Sequence, residues 1–179
     1  VIAPPYWIIG YALELAAQSP CRSKRGVVVY APSTAHLGVR TLGTGHNGPP
    51  RGFACPGREA CTGTCGQRCV HAEMRALRAI SYPVAEVGRI DLEAEMRWRA
   101  GLPARASQLL DLVHVELAPD GGVVACDGPR CWQCSREIAD VGAIGRVWLY
   151  EATASGPAWR SYSADEFHRA TLIACGMVP

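Results

Sequence analysis

What the chain lacks narrows it first. No apolar stretch approaches the roughly 20 residues needed to cross a bilayer. The longest early one, Tyr6-Trp7-Ile8-Ile9, runs straight into a segment carrying Glu14, so a soluble, cytoplasmic protein with no membrane partner is expected. Strong charge of one sign is missing as well. Eighteen basic residues stand against 16 acidic ones, a formal net charge of +2, which is far from the broad positive footprint of a protein living on a nucleic-acid backbone. A local run, Arg22-Ser23-Lys24-Arg25, can still meet a single phosphate, although short runs of this kind are usually solvated turns. There are no internal repeats and no linker long enough to separate domains. The 179 residues, 49% of them apolar, therefore read as one domain over 1–179 with a sizeable core and an insertion at about 84–107.

Cysteine is what the chain has in excess. Nine occur, and an odd number cannot pair off completely. They cluster as Cys55, Cys61, Cys65 and Cys69, then Cys126, Cys131 and Cys134, with Cys21 and Cys175 outlying. In a chain with no sign of export, such spacing favours metal ligation over a disulfide framework.

Periodicity supplies the scaffold. Apolar residues at Ile8, Ile9, Ala12, Leu15 and Ala16 predict a helix over 5–18 that Pro20 ends. Gly26 to Tyr30 is a β-branched run fit for a buried strand, and Leu37 to Gly43 can pair with it as a hairpin. A Gly/Pro-rich loop follows from Gly43 to Gly66, then a short helix over 71–80, stopped by Ser81-Tyr82-Pro83. Within the insertion, Ile90, Leu92, Met96 and Trp98 predict a helix ended near Gly101-Leu102-Pro103. Leu109 to Leu117 reads as a strand, Asp120-Gly121-Gly122 as a turn and Val123 to Ala125 as a short return strand. A helix over 131–141, a strand over 146–150 and a last helix complete the chain; the last opens on the capping box Ser163-Ala164-Asp165-Glu166 and ends at Gly176. This order implies an α/β fold of three layers, α/β/α, with a mixed central sheet and helices on both faces.

His71-Ala72-Glu73 opens one helix and Cys131-Trp132-Gln133-Cys134 opens another. A thiolate at a helix N-terminus is stabilised by exposed N–H groups, so Cys131 and Cys134 suit a metal. Two thiolates and one imidazole, His71, leave the fourth tetrahedral position of Zn²⁺ for water, the mark of a catalytic site. Glu73, two residues from His71, points elsewhere on the helix and is free for proton transfer: from that water to a ring nitrogen and then to a departing amine. That sequence of steps is hydrolytic deamination. Taken alone, each piece has a plainer reading: a structural zinc half-site or redox pair for Cys-x-x-Cys, a mere helix start for His-Ala-Glu. A closed four-ligand zinc site using Cys126 or Cys69 is the alternative for the set.

The combination resembles the H-x-E and P-C-x-x-C signature of zinc nucleobase deaminases. Three further stretches, 19–29 (Ser19-Pro20-Cys21-Arg22-Ser23-Lys24-Arg25-Gly26-Val27-Val28-Val29), 43–52 (Gly43-Thr44-Gly45-His46-Asn47-Gly48-Pro49-Pro50-Arg51-Gly52) and 69–74 (Cys69-Val70-His71-Ala72-Glu73-Met74), resemble the deoxycytidylate (dCMP) deaminase family of the cytidine deaminase-like superfamily. The similarity is close over about 5–80 and looser over 109–151. It implies a cytidine deaminase-like fold, a free pyrimidine nucleotide as substrate, assembly into a homo-oligomer, and contact of Asn47 with the sugar and phosphate region. Arg51, on the same Gly/Pro loop, offers a planar fork suited to phosphate. Members with a second, structural zinc place its ligands at Cys21, Cys55, Cys61 and Cys69, with Cys65 able to replace Cys61; such a metal would clamp the substrate loop. The chain departs from the family pattern at Arg130, which separates Pro129 from Cys131, at 84–107, and at Cys126-Asp127-Gly128-Pro129. Trp132 either walls the pocket or packs beneath it, and Tyr150 either stacks on the base or packs in the core. Competing readings are a deaminase acting on cytosine in single-stranded DNA or RNA, and a zinc- or nucleotide-binding module without turnover.

Overall fold

The computed structural model describes residues 3–32, 40–55, 69–85 and 110–178. Helix α1 (Tyr6–Ala17) leads into strand β1 (Lys24–Ala31), followed by β2 (Arg40–His46), α2 (Ala72–Ala85), β3 (Leu110–Leu117), α3 (Trp132–Asp140), β4 (Ile144–Glu151), β5 (Ala158–Tyr162) and α4 (Ala164–Ala174). The strands form one sheet in the order β2-β1-β3-β4-β5. β1 is antiparallel to both β2 and β3, β3 is parallel to β4, and β4 is antiparallel to β5. The fold is therefore a mixed-sheet α/β/α sandwich, as the order of elements implies.

Alternation along the central strands divides two cores. Val27 and Val29 of β1 join Leu110, Leu112, Val147 and Leu149 under α2, α3 and α4. Val28 and Tyr30 join Val113, Val115 and Trp148 under α1. A strand buried on both faces reads as a continuous β-branched run, which is why β1 is legible at once. Asp111, buried on the α1 side, is held by Tyr30, Arg146 and Trp148, so its burial is compensated.

Topology places the site. Because β2, β3 and β4 run the same way, their carboxyl ends share one edge of the sheet, and β1, running against them, begins there. The helices that follow β2 and β3 start at that edge, the usual location of ligand sites in open α/β sheets. Glycines set how close the layers come. A Cβ at Gly26 would run into the backbone of α1 at Ala12 and lie 2.7 Å from Ala16 N, and one at Gly45 would meet the α2 backbone at Ala72 and Ala76. Gly43 likewise leaves room for Ala76 and Ile80.

Several sequence expectations change. α2 continues through Ser81-Tyr82-Pro83 to Ala85; a proline in the final turn removes one ladder hydrogen bond, and the helix runs only two residues further. The strand paired with β1, Arg40–His46, extends past the expected end at Gly43 to His46, while Leu37 to Val39 lie outside the described residues. β5 is not anticipated from the sequence: it is an edge strand with largely exposed residues, so no apolar run announces it. The expected return strand at Val123 to Ala125 reduces to one bridge, Leu117 with Val123. The capping box at Ser163 and Glu166 forms as expected. The helix expected in the 84–107 insertion lies outside the described residues beyond Ala85, as does Leu109.

Gly45→Ala is expected to destabilise the protein by about 1–3 kcal/mol through overpacking. Gly10, where an added Cβ would have nothing within 4 Å, should behave oppositely, Gly10→Ala in α1 gaining up to about 1 kcal/mol. Urea denaturation of the two variants checks both; equal effects would contradict the close α2–β2 packing.

Candidate metal centre

The centre is assembled from two helix starts. The His71 carbonyl accepts the Arg75 N–H to open α2. The preceding residue, Val70, exchanges two backbone hydrogen bonds with Gly48, at 3.1 and 2.8 Å, which fixes His71 relative to the Gly/Pro loop. Cys131 is the N-cap of α3, its sulfur accepting the Cys134 N–H at 3.4 Å. These starts converge: His71 Nδ1 is 3.1 Å from Cys134 Sγ and 3.2 Å from Cys131 Sγ, and the sulfurs are 3.0 Å apart.

A metal fits this donor set. Two sulfurs each about 2.3 Å from a tetrahedral zinc stand about 3.8 Å apart, so the thiol pair need open by less than an ångström. Among the described residues, only His71, Cys131 and Cys134 bring such ligand atoms together. Neither Cys126 nor Cys69 closes the set, which leaves the arrangement of an open, three-ligand site. The thiols titrate as a pair. The hydrogen bond to Cys134, aided by His71, holds Cys131 down at about 4, whereas that same bond, burial and the neighbouring Glu73 push Cys134 up. The shared hydrogen bond favours the thiolate at Cys131 and the proton at Cys134.

Glu73 sits in the first turn of α2 and is 5% exposed. Burial pushes its carboxyl up, but His114, its own backbone N–H, His71 and Arg25 outweigh this and hold it below the usual carboxylate range. It is ionised at neutral pH, a base rather than an acid. His114 was missed in the sequence, and its Nδ1 lies 3.3 Å from Glu73 Oε1. Burial outweighs the attraction of Glu73 and holds the His114 pKa below its usual value. The His114 Nε2 is buried without a hydrogen-bond partner among the described residues, a state that costs about 1–3 kcal/mol where nothing else satisfies it. The signal was there to read: along β3 the face of Leu110 and Leu112 continues as His114 and Glu116, polar residues at inward positions.

Two cavities flank Glu73. One, of about 340 Å³, is lined by His71, Glu73, His114, Cys131, Cys134 and Tyr150 among others. The second, of about 380 Å³, is lined by Arg22, Ser23, Arg25, Asn47, Glu73 and Glu116 among others. Both are in the range of small-molecule sites. The basic run at 22–25 therefore faces the centre. Asn47 is committed to that wall: its Oδ1 accepts the Arg25 N–H at 2.8 Å and its Nδ2 donates to Ser23 O at 2.7 Å. Glu116 accepts from Ser23 Oγ at 2.7 Å and pairs with Arg25 Nε at 3.3 Å.

Other expected residues fall differently. Tyr150 reaches the metal cavity while tilting against Trp159 at 5.4 Å. Arg51 lies on a separate groove with Phe53, Arg75 and Arg78, within the turn that the Phe53 N–H closes on Pro50 O. Trp132 is 37% exposed beside Arg136 and lines an outer depression with Arg78. Arg130 closes a turn on Asp127 at 2.6 Å, with Gly128 at φ +96°, and so absorbs the extra residue before Cys131. Cys21 and Cys69 sulfurs are 3.6 Å apart. Cys55 Sγ lies 3.7 Å from Pro20 O, and Cys61 and Cys65 lie outside the described residues.

No protein-family profile matches the chain, and no curated protein does. Among solved structures it is similar to the dCMP deaminase of cyanophage S-TIM5 in apo form, at 20% identity over 79% of this chain and 78% of that one, TM-score 0.46. The same enzyme in complex with dCMP and dUMP gives 21% identity over 79% of each chain, TM-score 0.45. The cytidine deaminase of Burkholderia pseudomallei is similar at 14% identity over 92% of this chain and 95% of that one, TM-score 0.47. No helix among the described residues is long and apolar enough to cross a membrane.

Since one thiol proton must leave before both sulfurs bind a cation, zinc uptake at pH 7 should release about one proton at this centre. Calorimetry of the Cys21→Ser/Cys69→Ser protein in buffers of different ionisation heat measures it. Release of none would contradict the shared-proton pair.

Proposed function

We propose that the protein is a zinc-dependent deaminase that hydrolyses the amine of a free pyrimidine deoxynucleotide, dCMP to dUMP and ammonia. The observation that carries the reading is the pairing of an open His71/Cys131/Cys134 triad with a buried, ionised Glu73 at one cavity. A structural zinc site needs no carboxylate there. Zinc held by the triad supplies Lewis acidity and lowers the pKa of water enough to make it a nucleophile near neutral pH.

The remaining work belongs to the chain. Glu73 accepts one proton of the attacking water and delivers it to the ring nitrogen next to the reacting carbon; it then takes the second proton, from the hydroxyl now on that carbon, and passes it to the amine as it leaves. The water oxygen bonds to that carbon, the carbon–nitrogen bond breaks, and ammonia departs. Burial keeps bulk water from Glu73 and strengthens its electrostatic grip on the ring. Tyr150 offers a face for the base. Arg22, Ser23 and Arg25 supply donors for a phosphate, and Asn47 holds their segment in place. Arg25 is partly neutralised by Glu116, so Arg22 carries much of the phosphate contact.

A second zinc accompanies this reading. The 3.6 Å separation of the Cys21 and Cys69 sulfurs is close to the edge expected for two thiolates on one tetrahedral ion. Cys55 with Cys61 or Cys65 completes the set by resemblance. The metal ties the strand-entry loop to the residue two before His71. Thiolate ligation of this kind suits a reducing, cytoplasmic setting, and the resemblance further implies a homo-oligomer.

The test is a panel of dCMP, CMP, deoxycytidine and a single-stranded oligonucleotide, each with Glu73→Ala alongside. Ammonia release from dCMP is expected, with kcat falling on the order of 10²–10⁴-fold in the variant while zinc is retained. Activity on the oligonucleotide alone would reject the assignment. Elemental analysis should return two zincs per chain, and Cys21→Ser/Cys69→Ser should lower that to one.

A further inference from the structure

We infer that His114 is a positioning residue for Glu73: its imidazole carries a proton on Nδ1 and directs it at one carboxylate oxygen, leaving the other oxygen to the reacting groups. This rests on the deaminase reading for its consequence in catalysis, but the pairing itself is a property of the fold.

The placement follows from register. His114 lies opposite Val27 of β1 and on the same face of β3 as Leu112 and Glu116. That face turns toward α2, where Glu73 occupies the first turn. Nδ1 is 3.3 Å from Oε1, and both side chains are largely buried, at 17% and 7% exposure. Two lone pairs facing each other at that distance would repel, so the ring presents N–H at Nδ1. Its Nε2 is then left buried with no partner among the described residues. Buried polar atoms are almost always satisfied, and the ring accepts that deficit at Nε2 in order to face Glu73 from Nδ1. A carboxylate on a first helical turn has several rotamers. Ala72 and Ala76 of the same helix are fully buried, and the imidazole supplies a directional side-chain contact from the sheet.

Fixing Glu73 matters because a proton shuttle must reach the attacking water, the ring nitrogen and the leaving amine in turn. Misplacement by an ångström can cost on the order of 10²-fold in rate. Such a loss should fall on kcat, since His114 acts through Glu73 and not on the phosphate-binding wall.

The experiment combines spectroscopy with kinetics. In the zinc-loaded protein with ¹⁵N-labelled histidine, His114 is expected as the Nδ1–H tautomer, and Glu73→Ala should abolish that preference. His114→Ala should lower kcat on the order of 10²-fold with KM within about twofold and zinc content unchanged. His114→Asn, whose amide N–H falls near the position of Nδ1, should recover at least tenfold of the loss. A proton found on Nε2, a tautomer indifferent to Glu73→Ala, wild-type kcat in His114→Ala, or an Asn variant no better than Ala would each overturn the inference. Should no substrate of the panel be turned over by the wild-type protein, the functional reading fails, while the tautomer measurement still decides the pairing. Should His114→Ala fail to fold, that same measurement on the wild-type chain decides it.

Discussion

The contact between α2 and β2 is the constraint on which the rest depends. His71 and Glu73 occupy the threshold and first turn of a helix that lies against Gly43 and Gly45 with no room for a Cβ. That surface sets the depth of α2 over the sheet, and the Gly48–Val70 hydrogen bonds set where the helix begins. α3 reaches the same edge by a different route. It follows β3, which is parallel to β4, and such a connection needs a crossover helix packed on one face. The metal centre is thus the meeting point of two helix starts that the sheet independently fixes, and little adjustment is left to the side chains.

Charge is managed along one row of β3. The apolar face of Leu110 and Leu112 gives way to His114 and Glu116, and each polar residue answers a partner on another element. His114 faces Glu73, while Glu116 is held by Ser23 and Arg25 across the register. The first pairing sets a ring nitrogen 3.3 Å from the buried carboxylate. The second tempers the positive charge beside it. In the function proposed here, Tyr150 and Glu73 form the base end and Arg22 and Ser23 the phosphate end.

Much of this was legible in the sequence because it rests on local rules. The β-branched run of β1, the apolar period of α1 and the capping box of α4 each follow from one short window, and the His71, Glu73, Cys131, Cys134 set follows from chemistry at helix starts. The rest depended on pairing that no window contains. β5 exists because β4 has a free edge. Helix α2 runs past Pro83 because only a terminal turn is affected. Arg51 lines a separate groove, and Arg25 gains a carboxylate from a strand 91 residues on. His114 was open to reading from the alternation of β3, but its partner was visible only once α2 lay across that face.

The central claim is an open three-ligand metal site with Glu73 beside its fourth position. Anomalous diffraction from crystals of the zinc-loaded protein, collected across the zinc absorption edge, tests it most directly. The account predicts a zinc bound by His71 Nδ1, Cys131 Sγ and Cys134 Sγ, with a non-protein oxygen as the fourth ligand within hydrogen-bond reach of Glu73. A fourth ligand drawn from the chain, such as Cys126 or Cys69, would contradict it.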